Sequence, residues 1–122
     1  MDSEWFCVEI NIIVKGEGMM QIQVLRKLVH ENKIKWSVHC LERMGERDIS
    51  RMDVKNCISK GEIIEDYPDD FPHPSCLVFG YTVDNRVLHV VTGTNGKELF
   101  VITAYYPNTI KFQPDLKTRR EN

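Results

Sequence analysis

The sequence predicts an α+β domain, in which two or three N-terminal helices pack on one face of an antiparallel sheet of four or five strands. Three observations support this fold class. Apolar residues recur at helical spacing in the first half of the chain, strand-like runs replace them after Gly61, and pairs of turn residues separate those runs. Because the helices precede the strands instead of alternating with them, we expect segregated helices and strands.

The first helix is predicted from the spacing of its apolar residues, and the next two from their starts. Between residues 21 and 32, Ile22, Leu25, Leu28 and Val29 recur at helical intervals. Ser37 and Ser50 are good N-cap residues, and each is preceded by an apolar residue that can staple onto the new helix. Asp53 occupies the capping-box position after Ser50, and Gly61 is a plausible end for that helix. The sequence therefore predicts three helices in succession.

The second half of the chain reads as an antiparallel meander. Asn95-Gly96 is a strong hairpin signal, and Asp84-Asn85 is a second turn pair. The predicted strands are "EIIEDYP", "CLVFGYT", "RVLHVVT" and "LFVITAYY", with a last short strand through "TIKF".

The hydrophobic pattern of the last hairpin predicts which side chains share a face. If Leu88 and Val90 face the core together with Phe100, Ile102 and Ala104, then His89, Thr103 and Tyr105 share the opposite face. That arrangement requires a three-residue, bulged turn at Asn95-Gly96, whereas a two-residue turn would place His89 opposite Ile102. The pattern favours the first arrangement.

Composition limits the kind of protein. The 122 residues are 42% hydrophobic and 28% charged, which suits one domain with one core. No apolar run approaches the roughly 18 residues of a membrane span, and no signal-peptide pattern is present, so we expect a cytoplasmic protein without a membrane partner. The four cysteines form no Cys-x-x-Cys pair, which argues against a zinc site and favours small buried hydrophobes.

Residues 1–18 stand apart from the rest of the chain. Lys-Gly-Glu-Gly before Met19 and Met20 is what a purine-rich ribosome-binding site would give if it were translated in frame. We therefore predict that residues 1–18 are an N-terminal extension from a misassigned start, and that residues 19–122 form the single domain. The alternative is a genuine strand, because "FCVEINIIV" has strand composition. N-terminal sequencing of the native protein decides between them.

The stretch "WSVHCLERMGERDIS" contains the first candidate functional residues. His39, Arg43 and Arg47 follow one another at intervals of four, so they share one face of a helix. Like charges four residues apart are mildly unfavourable, by about 0.2–0.5 kcal/mol per pair, which is unusual for a merely solvated face. Two interpretations therefore remain open: these side chains form a functional site, or they are only the solvent-exposed face of an ordinary helix. His89 is the second candidate, as the one polar residue in "VLHVV", although such a histidine is more often structural.

Charge is unevenly distributed along the chain, although the net charge is only −2. Residues 61–85 contain six acidic residues and no Lys or Arg, whereas residues 86–122 contain six basic residues and three acidic ones. This asymmetry is compatible with one surface for an anion and another for a basic partner. Ordinary solvated charge is the simpler explanation.

Taken together, "SVHCLERMGERDI", "GEIIEDYPDDFPHPSCLVFGY", "LHVVTG" and "VITAYYP" closely resemble an uncharacterised bacterial family, domain-of-unknown-function family 4258. The resemblance covers about residues 33–120. Members are similar to small toxins of the RelE and BrnT type and are often encoded beside antitoxins with a YgiT-type zinc finger. The resemblance therefore implies helices on a curved antiparallel sheet, an antitoxin encoded nearby, and RNA as a ligand. Its matching site positions are Ser37, His39, Arg43, Arg47, His89, Thr103 and Tyr105.

These residue types would suit a type II toxin that cleaves RNA without a metal or any other cofactor. A histidine such as His39 or His89 can move protons near neutral pH, while Arg43 and Arg47 can hold phosphate. Tyr105 would position the RNA, and Ser37 and Thr103 would support the site. The alternative is a non-catalytic module that binds an antitoxin or an anionic ligand. Catalysis predicts that His39, Arg43, His89 and Tyr105 converge in one cleft.

Overall fold

The computed structural model describes residues 20–121, so the prediction about residues 1–18 lies outside the described residues. Within the described range the chain forms three helices and five strands. In chain order these are α1 (Ile22–His30), β1 (Ile34–Trp36), α2 (Val38–Glu46), α3 (Arg51–Lys60), β2 (Glu62–Tyr67), β3 (Ser75–Tyr81), β4 (Val87–Thr94) and β5 (Leu99–Tyr105). None of these helices is long and apolar enough to cross a membrane.

The two predicted N-caps begin their helices as expected. The Ser37 hydroxyl accepts a hydrogen bond from the Cys40 amide at 3.0 Å, and α2 continues through Gly45. Ser50 and Asp53 form a complete capping box, with hydrogen bonds of 3.0 and 2.9 Å. Each cap satisfies amide groups that the first helical turn leaves without a partner. Gly61 ends α3 as predicted.

The five strands form one sheet in the order β1-β5-β4-β3-β2. Strands β2 to β5 make the predicted antiparallel meander, and the α+β prediction is confirmed. Strand β1 was not predicted, and it pairs with β5 in parallel, from Ile34 opposite Leu99 to Trp36 opposite Val101. The predicted strand "TIKF" is wrong. The Asn108 side chain folds that segment into a turn by accepting hydrogen bonds from the amides of Ile110 and Lys111.

The β4–β5 hairpin places His89 as predicted, but the expected three-residue turn at Asn95-Gly96 is wrong, because four residues separate Thr94 from its partner Leu99. His89 lies directly opposite Tyr105, and Val91 lies opposite Thr103. The register shifts between Val91 and Thr92, whose partners are Thr103 and Val101, so Ile102 is an extra residue in β5. Because of this bulge, the core-facing residues of β5 are Leu99, Val101 and Ala104. The expectation that Phe100 and Ile102 face the core is wrong, and Ile102 is 48% exposed.

The helices and the C-terminal segment cover opposite faces of the sheet. The core contains Leu88 and Val90 of β4 together with apolar residues of all three helices. His89 alternates with them, so its side chain points to the other face. There the C-terminal segment, residues 107–121, contributes the buried Phe112, whose ring meets that of His89 edge-on at 4.7 Å.

Two ion pairs join the C-terminal segment to the acidic strand β2. Lys117 pairs with Glu62 at 2.6 Å, and Arg119 pairs with Glu65 at 3.0 Å. Part of the charge asymmetry along the chain is thus neutralised within the domain.

Candidate functional site

A cavity of about 470 Å³ opens beside the end of β5, between the residue that follows α2 and the C-terminal segment. Three of its lining residues are cations and none carries a carboxylate. The lining residues are Arg47, Thr103, Tyr105, Tyr106, Pro107, Asn108, Lys111, Phe112 and Arg119. Aromatic walls with cations at the rim are typical of sites that bind planar, negatively charged ligands.

Arg47 is fixed at this cavity by β5. Its Nη1 donates to the Ala104 carbonyl at 2.9 Å and approaches the Thr103 hydroxyl at 3.4 Å. These residues lie where β5 extends past Val101, its last pairing with β1. Among residues 20–121, the Nε and Nη2 atoms of Arg47 have no hydrogen-bond partner, so the guanidinium keeps donors available for an anion.

The other two cations come from the C-terminal segment and differ in how far their charge is neutralised. Arg119 donates from Nε and Nη2 to both Glu65 oxygens at 3.0 Å, and its guanidinium lies over the Phe112 ring at 4.7 Å. Lys111 is exposed and forms no ion pair within the described part of the chain. Arg47 and Lys111 therefore supply the uncompensated positive charge of the cavity.

His89 lies behind the cavity wall and is fully buried. Its Nε2 lies 2.7 Å from the Leu116 carbonyl and its Nδ1 lies 3.3 Å from the Tyr105 hydroxyl. A carbonyl can only accept, so Nε2 carries the proton. Burial lowers the pKa of His89, although the Leu116 carbonyl and Glu65 oppose that shift. In the neutral ring Nδ1 is then an acceptor, and the Tyr105 hydroxyl donates to it.

Tyr105 connects His89 to the cavity. Its ring meets the His89 ring edge-on at 5.3 Å, and the same side chain lines the cavity. Burial raises the pKa of the Tyr105 phenol, while the neighbouring Arg119 lowers it. The phenol therefore keeps its proton at neutral pH, and its hydroxyl donates a hydrogen bond to Nδ1 of His89.

The remaining sequence-predicted residues lie outside the cavity. Ser37 caps α2, and His39 is exposed in the first turn of that helix. Arg43 is engaged on the surface by Glu46 at 2.8 Å. The expected single cleft is absent from residues 20–121, because the helices pack on the sheet face opposite to His89 and Tyr105. Only Arg47, from the end of the row, reaches the cavity.

Several cavity residues were not identified from the sequence. Lys111 and Arg119 belong to the basic C-terminal stretch, which was noted for its charge and not assigned to a site. Tyr106 follows Tyr105 directly and lines the same cavity, while the Arg86 guanidinium lies 4.0 Å from its ring centroid. The signals that could have indicated them were the basic tail and the Tyr-Tyr pair.

Comparison with known proteins matches residues 36–106 to the family described as Domain of unknown function (DUF4258), and this match covers more than half of the chain. The chain belongs to this family. No curated protein and no solved structure matches it significantly. The DUF4258 region supplies Arg47, His89 and Tyr105, whereas Lys111 and Arg119 follow it in the chain. The cavity therefore combines the DUF4258 region with the C-terminal segment.

Proposed function

We propose that this DUF4258 protein is the toxin of a bacterial type II toxin-antitoxin system and acts as a metal-independent ribonuclease of the RelE/BrnT-like kind. The observation that supports this most is the cavity itself, where Arg47, Lys111 and Arg119 meet Thr103 and Tyr105 without a lining carboxylate. A phosphodiester with an exposed base is the ligand class that such a combination suits.

Each part of the cavity has a role in this proposal. Arg47 and Lys111 hold the phosphate, since their donors are available and their charges are not neutralised. Tyr106 stacks on a base, and the guanidinium of Arg86 already supports its ring. Because the net charge of the chain is −2, only the cations of the cavity attract RNA. We therefore expect a modest affinity for RNA.

A second candidate function is a binding module without chemistry, and two observations favour it: His89 is buried, and His39 and Arg43 do not converge with His89 and Tyr105 in one cleft. Both ring nitrogens of His89 already have partners, and the exposed His39 does not line the cavity. In this case the same cations would bind an anionic segment of another protein. The two candidates differ in whether RNA is cut.

The proposed partner is an antitoxin encoded nearby, which covers the cavity with carboxylates. Glu62 and Glu65 of the acidic strand β2 are already paired with Lys117 and Arg119, so the cationic cavity is the better docking point. Co-expression and pull-down with the neighbouring open reading frame should give a complex that Arg47→Glu weakens. A complex that is indifferent to Arg47→Glu and to added salt would contradict this docking point.

The test of function is inducible expression without the antitoxin, followed by growth measurement and RNA profiling. We expect growth inhibition and cut RNA from the wild type, and relief by Arg47→Ala, since losing a charge-assisted contact costs about 1.5–3 kcal/mol. Lys97→Ala is the matched control, because Lys97 is an exposed cation on the β4–β5 loop.

The same assay tests whether toxicity depends on the cavity or on His39 and Arg43, the exposed residues of α2. His39→Ala and Arg43→Ala should remain toxic, because neither residue lines the cavity. Unaffected growth with intact RNA would favour the binding module. Toxicity that survives Arg47→Ala but not Arg43→Ala would locate the site on the helix row instead.

A further inference from the structure

We infer that Tyr105 is the catalytic residue of this site and that His89 is a positioning residue, which takes the Tyr105 proton at Nδ1 while the Leu116 carbonyl holds Nε2. This inference rests on the proposed ribonuclease function and specifies which groups move the proton. It follows from three groups joined by hydrogen bonds, which lead from the Leu116 carbonyl through the buried His89 ring to Tyr105 at the wall of the cavity.

The direction of the hydrogen bonds in this chain is fixed by chemistry. The carbonyl accepts from Nε2, so the neutral ring presents a lone pair at Nδ1 to the Tyr105 hydroxyl. The phenol donates inward, so its oxygen acts as an acceptor on the side of the cavity, where Arg119 is a charged neighbour. A ligand hydroxyl beside Tyr105 would thus meet an acceptor that can pass its own proton to His89.

The turn that carries Leu116 fixes the direction of its carbonyl. Leu116 has a φ of +58°, a left-handed conformation that is uncommon for residues other than glycine. The turn is held by hydrogen bonds from the Lys117 and Thr118 amides to Asp115 and from the Leu116 amide to Gln113. Such backbone conformations cluster at functional sites, and here the turn directs the Leu116 carbonyl at His89.

The surroundings of His89 suit a proton acceptor that works through its neighbour. The titratable and charged groups near it are Tyr105 of β5, Glu65 of β2 and Arg119 of the C-terminal segment, while β3 contributes the Phe79 ring at 5.9 Å. Glu65 favours the imidazolium and Arg119 opposes it. The ring is neutral before the reaction, and its new positive charge would face the Leu116 carbonyl and Glu65.

The reaction step balances without a metal or redox partner. The ribose 2′-hydroxyl gives its proton to the Tyr105 oxygen as Tyr105 gives its own to Nδ1 of His89. The 2′-oxygen bonds to phosphorus and the bond from phosphorus to the 5′-oxygen breaks, with the phosphate held by Arg47 and Lys111. The leaving 5′-oxygen takes a proton from water, and the resulting hydroxide recovers the proton from His89 through Tyr105. The products are a 2′,3′-cyclic phosphate and a 5′-hydroxyl.

The experiment uses the purified full chain with a single-stranded RNA containing all four bases, both free and on translating ribosomes. A 2′-O-methyl version of the RNA, which lacks the attacking hydroxyl, reports binding alone. Tyr105→Phe should slow cleavage by roughly 10²–10⁴-fold with unchanged affinity for the 2′-O-methyl RNA. Phe removes only the hydroxyl and keeps the ring packing, although Nδ1 of His89 loses its partner, so circular dichroism checks that the variant is folded. Lys97→Ala is the control for the preparation of a variant protein.

His89→Gln tests the role of the imidazole. Gln can still accept a hydrogen bond from Tyr105 but cannot take its proton at neutral pH. The wild-type rate should fall as the pH drops through the His89 pKa, and the variant should lose both the rate and that acidic limb. A wild-type rate with Tyr105→Phe, or a wild-type rate and pH profile with His89→Gln, overturns the inference while cleavage itself stands. A wild type that leaves every RNA intact overturns the proposed function.

Discussion

At the scale of single residues, Gly80 sets how closely α3 approaches the sheet. A Cβ at this position would lie 2.5 Å from the Cys57 carbonyl oxygen and 2.8 Å from its sulfur. These atoms belong to a fully buried helix residue and cannot move away cheaply. We expect Gly80→Ala to lower the free energy of unfolding by about 1–3 kcal/mol, measured by urea denaturation.

Gly45 provides the matched substitution with the opposite sign. It lies in α2, where an added Cβ would meet nothing within 4 Å. Gly45→Ala should raise the free energy of unfolding by about 0.5–1 kcal/mol, because Ala loses less backbone entropy in a helix. A Gly80→Ala variant as stable as the wild type would show that the assigned packing of α3 on β3 is wrong.

Some of these residue-level features could be predicted from the sequence and others could not. The caps at Ser37 and Ser50 depend on neighbours within three residues, so local patterns were sufficient. The hydrophobic pattern also predicted that His89 and Tyr105 share one face of the hairpin. The contact of His89 with the Leu116 carbonyl depends on a turn in the C-terminal segment, far along the chain. No local pattern encodes that contact.

At the scale of elements, the C-terminal segment is attached to β2 through Glu65 in a pH-dependent way. The Arg119 guanidinium holds the pKa of Glu65 below its ordinary value of 4.5. A group with a lowered folded-state pKa contributes its stability above the unfolded pKa and loses it as the pH falls through the folded value. We therefore expect the amide protection factors of residues 112–120, taken relative to the intrinsic exchange rate at each pH, to fall below about pH 4.5, measured by NMR.

Glu65→Gln is the variant that tests this attachment at neutral pH. It should raise amide exchange in the same residues without acid, whereas Glu98→Gln, on the far side of the sheet, should not. Equal protection in Glu65→Gln and the wild type would show that the buried Phe112, and not the ion pair, holds the segment.

The predicted elements were those with a strong periodic signal. The three helices and the meander from β2 to β5 each had spacing or turn residues that identified them. Strand β1 has three residues, too few to show a period, and its partner lies far along the chain. The "TIKF" run had strand composition, but the Asn108 turn determined its conformation.

At the scale of the whole molecule, binding to RNA should depend on salt through very few charges. Arg47 and Lys111 are the cavity cations that are not neutralised within residues 20–121, and the net charge of the chain is −2. Two phosphate contacts with single-stranded RNA predict a slope of about −1.4 for the logarithm of the association constant against the logarithm of the salt concentration. Fluorescence anisotropy over a series of KCl concentrations measures it, and Lys111→Ala should halve the slope. A slope several times steeper would indicate a second binding surface.

The parallel pairing of β1 with β5 also bears on how the molecule assembles and opens. It joins Ile34 to Leu99, which are far apart in the chain, whereas the meander forms from hairpins between strands that follow one another in sequence. Closing so long a loop costs chain entropy before its contacts form, so β1 and the adjoining α2 should dock late and detach early. Arg47 follows α2 and would leave Ala104 in the same event. The cavity would then open by local unfolding of β1 and α2 while the meander stays folded. The intact cavity would therefore persist for a shorter time than the folded meander.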